Sequence, residues 1–233
     1  MVTAVVDTTP SDRFKARQWQ DATWEAYQQY RDTLDPDQFR LFFHQDHLLV
    51  TDMGWEGIDH ATICDLFTLL LGFWFNAHPD AVASSLGRCL LEKSKDEAGA
   101  PDLVLYIGED YPRWQSGQPH HIDLNSWRSP DLVGEISDTS LPTDLDEKKQ
   151  LYAALGIAES WVVDVRGQRI FAFQLNEVGK YQRCDQSQVL TGLPIALLEQ
   201  TVQRLSDESN IQAAQWFYQQ VLNLEPAVDT EAG

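Results

Sequence analysis

Short apolar runs punctuated by turn residues alternate with longer helical patterns along this chain. LVLYI at 103–107 and LVGEI at 132–136 each follow a Pro-Asp pair and read as buried strands. SWVVDV (160–165) and RIFAFQL (169–175) flank Arg166-Gly167-Gln168 and predict a hairpin, to which KYQRC (180–184) adds a strand. FRLFF (39–43) and LLVTDM (48–53) predict an earlier hairpin across the turn HQDH, and another strand is expected near 88–92.

The helical patterns lie between these runs. Residues 11–34 suit a helix capped by Ser11, with Phe14, Trp19, Ala22, Tyr27 and Tyr30 including same-face spacings, ended by Asp35-Pro36-Asp37. Residues 58–76 form a strongly apolar helix, and 144–155 a helix stopped by Gly156. Stretches 194–204 and 209–222 look helical, the second opening on a Ser cap. Between strands, residues 108–130 make a long polar loop of the kind that carries function or moves. The division expected is an N-terminal helical extension (1–35), one α/β domain (36–224) and a disordered tail (225–233).

Composition narrows the picture. At 233 residues and 43% hydrophobic, the chain can bury a full core. Its longest apolar stretch, 61–77, contains Asp65 and is read as a buried helix, so no membrane partner is expected. No secretion signal is visible at the N-terminus, which points to the cytoplasm. Cys64, Cys89 and Cys184 are far apart and odd in number, against a disulfide framework. The net charge of −19 opposes strong nucleic-acid binding, because phosphate affinity comes mainly from Lys and Arg. A site that collects divalent cations also needs carboxylates, however, so a metal-dependent activity is not excluded.

An ionised carboxylate inside a buried strand is costly unless a cation compensates it. Asp102 at one strand mouth, Glu135 on the next strand and Lys148 on the following helix are therefore the first candidates for a metal site. Strand alternation puts Glu135 and Ser137 on the same face as Asp131 and Val133.

Pro101-Asp102, PDLVGEIS (130–137), DLDEKKQLY (144–152) and Gly156-Ile157-Ala158-Glu159 leading into SWVVDV occur in an order that resembles the restriction-endonuclease-like superfamily, named for its PD-(D/E)xK signature. Within it, the match is to the Uma-type group of small bacterial endonucleases, over roughly residues 38–200. The resemblance implies a mixed β-sheet flanked by helices, with a metal site at its open end, and cleavage of DNA with Mg²⁺ or Mn²⁺. Asp102 would be the aspartate of PD and Glu135 the acidic member of (D/E)xK. Ser137 stands where the lysine is due, and the Uma-type pattern draws that lysine from the next helix, here Lys148. The metal ligands implied are Asp102, Glu135 and the carbonyl of Ile136, with Lys148 assisting the water and Glu56, His60 and Ser137 as accessory candidates.

Structural roles compete for the same residues. Asp102 and Asp131 suit turns after proline, Glu135 a buried ion pair, and Lys148 a solvated helix face. His60, and His120 with His121 in the long loop, are more often packed or exposed than ligating. Asp164 reads as a strand-end residue bonded to the following turn, and Trp114 and Trp127 as aromatics that could stack on bases, though such loop aromatics more often pack on the fold. Arg88, Lys93, Lys95, Arg113, Arg128, Lys148 and Lys149 are the cations from which a groove for DNA could be built. Two rivals to the nuclease reading follow: an inactive nuclease fold serving as a binding or regulatory module, and a homo-oligomeric interaction protein that associates through its terminal helices.

Overall fold

A computed structural model describes residues 18–52, 57–95, 97–118 and 120–224. Ser11 and Glu56 lie outside them. The chain runs β1 (Gln20–Asp21), α1 (Trp24–Thr33), β2 (Phe39–His44), β3 (His47–Asp52), α2 (Ile58–Ala77), β4 (Ala83–Ser85), β5 (Leu91–Lys93), β6 (Glu97–Gly99) and β7 (Leu103–Ile107). It continues through β8 (Ile122–Asp123), β9 (Leu132–Ser137), α3 (Leu141–Leu145), α4 (Glu147–Ala154), β10 (Glu159–Asp164), β11 (Arg169–Leu175), β12 (Tyr181–Cys184), α5 (Ile195–Gln203) and α6 (Asn210–Val221).

The strands form two mixed sheets rather than one. The first has the order β1-β3-β2-β6-β5-β8 and the second β12-β11-β10-β9-β7-β4. The second carries the expected motif strands: β9 pairs antiparallel with β7 and parallel with β10. Period-two alternation divides the core between the two faces of this sheet. Leu103, Leu105, Leu132, Ile136, Trp161 and Val163 pack with α2, α5 and α6. Val104, Tyr106 and Val133 pack the other way, against Leu151 and Tyr152 of α4 and against Phe42 and Leu49 of the first sheet. Leu41, Phe43, Leu48 and Val50 turn to the far face of that first sheet, where Tyr27 of α1 is fully buried.

Both terminal helical regions are therefore part of the packing. Thr23 caps α1, which within the described residues begins at Trp24, after Trp19 and Ala22. Helix α1 is fastened to the first sheet by a hydrogen bond of 2.6 Å that Tyr27 donates to Glu92. Helix α6 opens on a Ser209–Gln212 capping box and lies along α2. Helix α2 has the length and composition of a membrane span, but Leu66, Phe67 and Leu70 are buried in the core.

Local chemistry explains most element boundaries. Gln45 and Asp46, both with positive φ, make the two-residue turn between β2 and β3. Gly156 takes φ 71° to stop α4. Asp164 accepts the Gly167 N–H at 2.8 Å and so closes the β10–β11 turn, as expected. The helix anticipated over 144–155 is instead two short helices, because the backbone leaves helical angles at Asp146 (φ −121°, ψ −88°). The strand expected near 88–92 begins at Leu91, after a left-handed Arg88.

Candidate functional site

β7, β9 and α4 deliver three side chains to one cleft of about 420 Å³ between the sheets. Asp102 sits at the mouth of β7, Glu135 near the end of β9 and Lys148 on the first turn of α4, and all three line it. All three are at least nine-tenths buried. Ile136 lines the same cleft, and strand β2 forms another wall with Arg40 and Phe42.

Each charge is held by named partners. Asp102 Oδ1 accepts from Arg40, and Oδ2 accepts the Ile136 N–H at 2.8 Å and lies 3.5 Å from His60 Nε2. Burial alone would raise the Asp102 carboxyl, but the His60 hydrogen bond, the Arg40 charge and the Ile136 amide outweigh it and hold it well below the usual carboxylate range. The same bond, with Cys64 Sγ 3.6 Å from Nδ1, pushes His60 up to about 10, so it stands as an imidazolium beside Asp102.

Glu135 has the opposite balance. Burial pushes its carboxyl up to about 7; Lys148 opposes this, and the neighbouring carboxylates of Asp144 and Asp102 add to it. Its oxygens accept from Lys148 Nζ at 3.1 Å and from the Tyr152 hydroxyl. Lys148 is also 2.9 Å from Asp144 Oδ1 and lies 4.1 Å from the Phe42 ring centroid. Burial would lower the lysine, yet Glu135 and Asp144 hold it above its ordinary value. Asp144, itself buried, accepts from Ser140 Oγ at 2.6 Å.

The candidates drawn from the sequence are thus partly gathered and partly scattered. Asp102, Glu135, Ile136, Lys148 and His60 line the cleft. Ser137 follows on the Glu135 face, buried, its hydroxyl without a partner among the described residues. Glu56 lies outside the described residues. Asp131 braces strands instead, accepting the Ile107 N–H at 2.6 Å and pairing with Arg128. His120 stacks on Trp114, and His121 lies 3.7 Å from Glu92, far along the other sheet. Of the seven cations proposed for a groove, only Lys148 lines this cleft; Lys149 lies over Phe173.

Arg40, Asp144 and Tyr152 are the members that sequence reading missed. Asp144 and Tyr152 stand one turn to either side of Lys148, a spacing that could have flagged them. Arg40 carried no signal, since it comes from a strand of the other sheet. Two donor sets for a metal result. One is all oxygen, the Asp102 and Glu135 carboxylates that line the cleft, a donor type that would suit a hard divalent cation. The other is His60, Cys64 and Asp102, whose ligand atoms lie within 4.8 Å of one another.

The fold is therefore two mixed sheets with α4 packed between them and α2, α5 and α6 on the outer face of the second. A solved structure described as "a putative nuclease belonging to DUF820 from Anabaena variabilis" superimposes with a TM-score of 0.54 at 13% identity, over 84% of this chain and 98% of its own. The sequence model of the Uma2 family, described as "Putative restriction endonuclease", matches residues 24–208, and the chain belongs to that family. The match takes in α1 and the end of α5, beyond the 38–200 of the motif-based resemblance. Comparison with curated proteins finds no match.

Proposed function

We propose that this protein is a metal-dependent endonuclease that hydrolyses phosphodiester bonds of DNA. The observation that carries the reading is the convergence of Asp102, Glu135 and Lys148 from three elements on one cleft. The residues fit a hard divalent cation: two carboxylates and a backbone carbonyl are oxygen donors, and burial, with the Asp144 and Asp102 carboxylates nearby, raises the cost of an ionised Glu135 that a cation would offset. Mg²⁺ or Mn²⁺ held by Asp102, Glu135 and the Ile136 carbonyl would neutralise charge on the phosphate and acidify a water.

The chain's own groups supply the rest. Lys148, held above its ordinary value by Glu135 and Asp144, is a hydrogen-bond donor that would orient the attacking water and face the developing charge. Asp144 and Glu135 fix its ammonium, and Phe42 covers it. Tyr152 donates to Glu135 and fixes the rotation of that carboxylate. The test is nicking of supercoiled plasmid with Mg²⁺ or Mn²⁺ by the native chain, Asp102→Ala and Glu135→Ala. Loss in both variants is expected; activity surviving both would sink the mechanism.

One observation favours a second reading, an inactive fold kept for binding. The oxygens of Asp102 and Glu135 all accept from protein donors already. Calorimetric titration with Mn²⁺ separates the two, because an inactive relic would show no heat that depends on Glu135.

A further inference from the structure

Arg40 belongs to the first sheet, yet its guanidinium crosses to the second and pairs with Asp102 Oδ1. Its side chain is 12% exposed and that of Asp102 3%. Phe42, two residues further along β2 and on the same face, covers Lys148. One strand thus presents a cation and an aromatic ring to the proposed centre. A carboxylate has about four acceptor positions. Asp102 spends three of them, on Arg40, the Ile136 amide and His60. A divalent cation approaching Asp102 meets a guanidinium already seated there.

We infer that Arg40 is an exchangeable counter-ion: it neutralises Asp102 until a divalent cation takes the carboxylate, and the displaced guanidinium then binds a non-bridging oxygen pair of the substrate phosphate. This rests on the nuclease reading of the cleft. The chemistry matches at both ends, because the planar fork of arginine pairs equally with carboxylate and phosphate. The device also addresses how a chain of net charge −19 accepts a polyanion. Arg40 and Lys148 are the only Lys or Arg among the described residues lining the cleft, and in the metal-free state both are committed to carboxylates. Metal arrival would take Asp102 from Arg40 and turn the guanidinium toward the phosphate.

The exchange predicts effects of opposite sign, which a structural ion pair would not give. Mn²⁺ binding is measured by calorimetry for the native chain, Arg40→Gln, Arg40→Lys and Asp102→Asn. Binding of a short DNA duplex with Mn²⁺ is measured by fluorescence anisotropy in a Lys148→Ala background, which retains both carboxylates. Arg40→Gln should bind Mn²⁺ at least about tenfold more tightly and the duplex about tenfold more weakly, with Arg40→Lys between. Without metal, Arg40→Gln should leave duplex binding unchanged. Equal or weaker Mn²⁺ binding in both Arg40 variants, with melting temperatures confirming folded protein, overturns the exchange. Asp102→Asn judges the underlying site separately: undiminished Mn²⁺ binding there would remove Asp102 as a ligand, whatever Arg40 does.

Discussion

Lys148 Nζ lies 2.9 Å from Asp144 Oδ1, one helical turn back, while its other side meets Glu135. Asp144 is thus the residue that aims the lysine, across the break between α3 and α4. Because both partners are buried, an unaimed ammonium would be costly as well as misplaced. Asp144→Asn keeps the size of the side chain and an acceptor for Ser140, and removes the charge. Nicking should fall ~10- to 100-fold, as it does when the support of a reacting group is removed. Mn²⁺ affinity, measured by calorimetry, should change less than the rate. An unchanged nicking rate would make Asp144 purely structural.

Glu135 links the site to stability through its ionisation. Its folded carboxyl is raised from 4.5 to about 7, so the folded state holds the proton more tightly than the unfolded state does. The contribution is therefore favourable below the unfolded value and is lost as pH rises from 4.5 to about 7. Asp102, held low, has the reverse sign: its contribution is present above its unfolded value and lost only in stronger acid. The metal-free protein should lose on the order of 3 kcal/mol between pH 4.5 and 7 in urea unfolding. Glu135→Gln should flatten that slope. A native slope of zero in this window would contradict the burial of an ionisable Glu135.

Glu92 is a buried carboxylate of a different kind, and it bears on folding alone. It accepts from Tyr27 at 2.6 Å and from Arg31 at 2.8 Å, tying α1 to the first sheet. Glu92→Ala should cost about 3 kcal/mol or more, because a buried hydroxyl and a cation lose their partner together. Tyr27→Phe should cost about 1 kcal/mol. Chemical denaturation measures both. At temperatures where the variants are folded, plasmid nicking should match that of the native chain.

The motif strands, their turn and the Gly156 stop were legible because each obeys a local rule: Pro-Asp before an apolar run, period two within it, glycine where φ is positive. The faces of β9 were legible for the same reason, and they place Glu135 toward Lys148. Of the first sheet, only the β2–β3 hairpin was legible. β5, β6 and β8 are two or three residues each, too short for a period to show. Arg40 escaped for a related reason: nothing local marks a strand arginine whose partner, Asp102, lies on another sheet. Of the seven cations considered for a groove only Lys148 reaches this cleft, since sequence proximity to the motifs does not place a side chain there.

Gly87 gives a last test, because it meets Asp102 through backbone alone. A Cβ built on Gly87 would lie 2.5 Å from the Asp102 carbonyl oxygen, and the next amide, Arg88 N–H, is bonded to the Pro101 carbonyl at 3.0 Å. The approach is therefore fixed on both sides of the proposed ligand, and no side chain can swing away to make room. Gly87→Ala should shift the segment that aims Asp102 into the cleft, at a cost of about 1–3 kcal/mol. Mn²⁺ affinity and nicking should fall together, by more than the loss of folded protein explains. Gly72, on α2, is the control: a Cβ there meets nothing within 4 Å. Gly72→Ala should leave metal binding unchanged and raise stability by up to about 1 kcal/mol, since alanine restricts the unfolded chain and favours helix. Equal behaviour of the two variants in Mn²⁺ calorimetry would show that the position of Asp102 does not depend on this backbone contact.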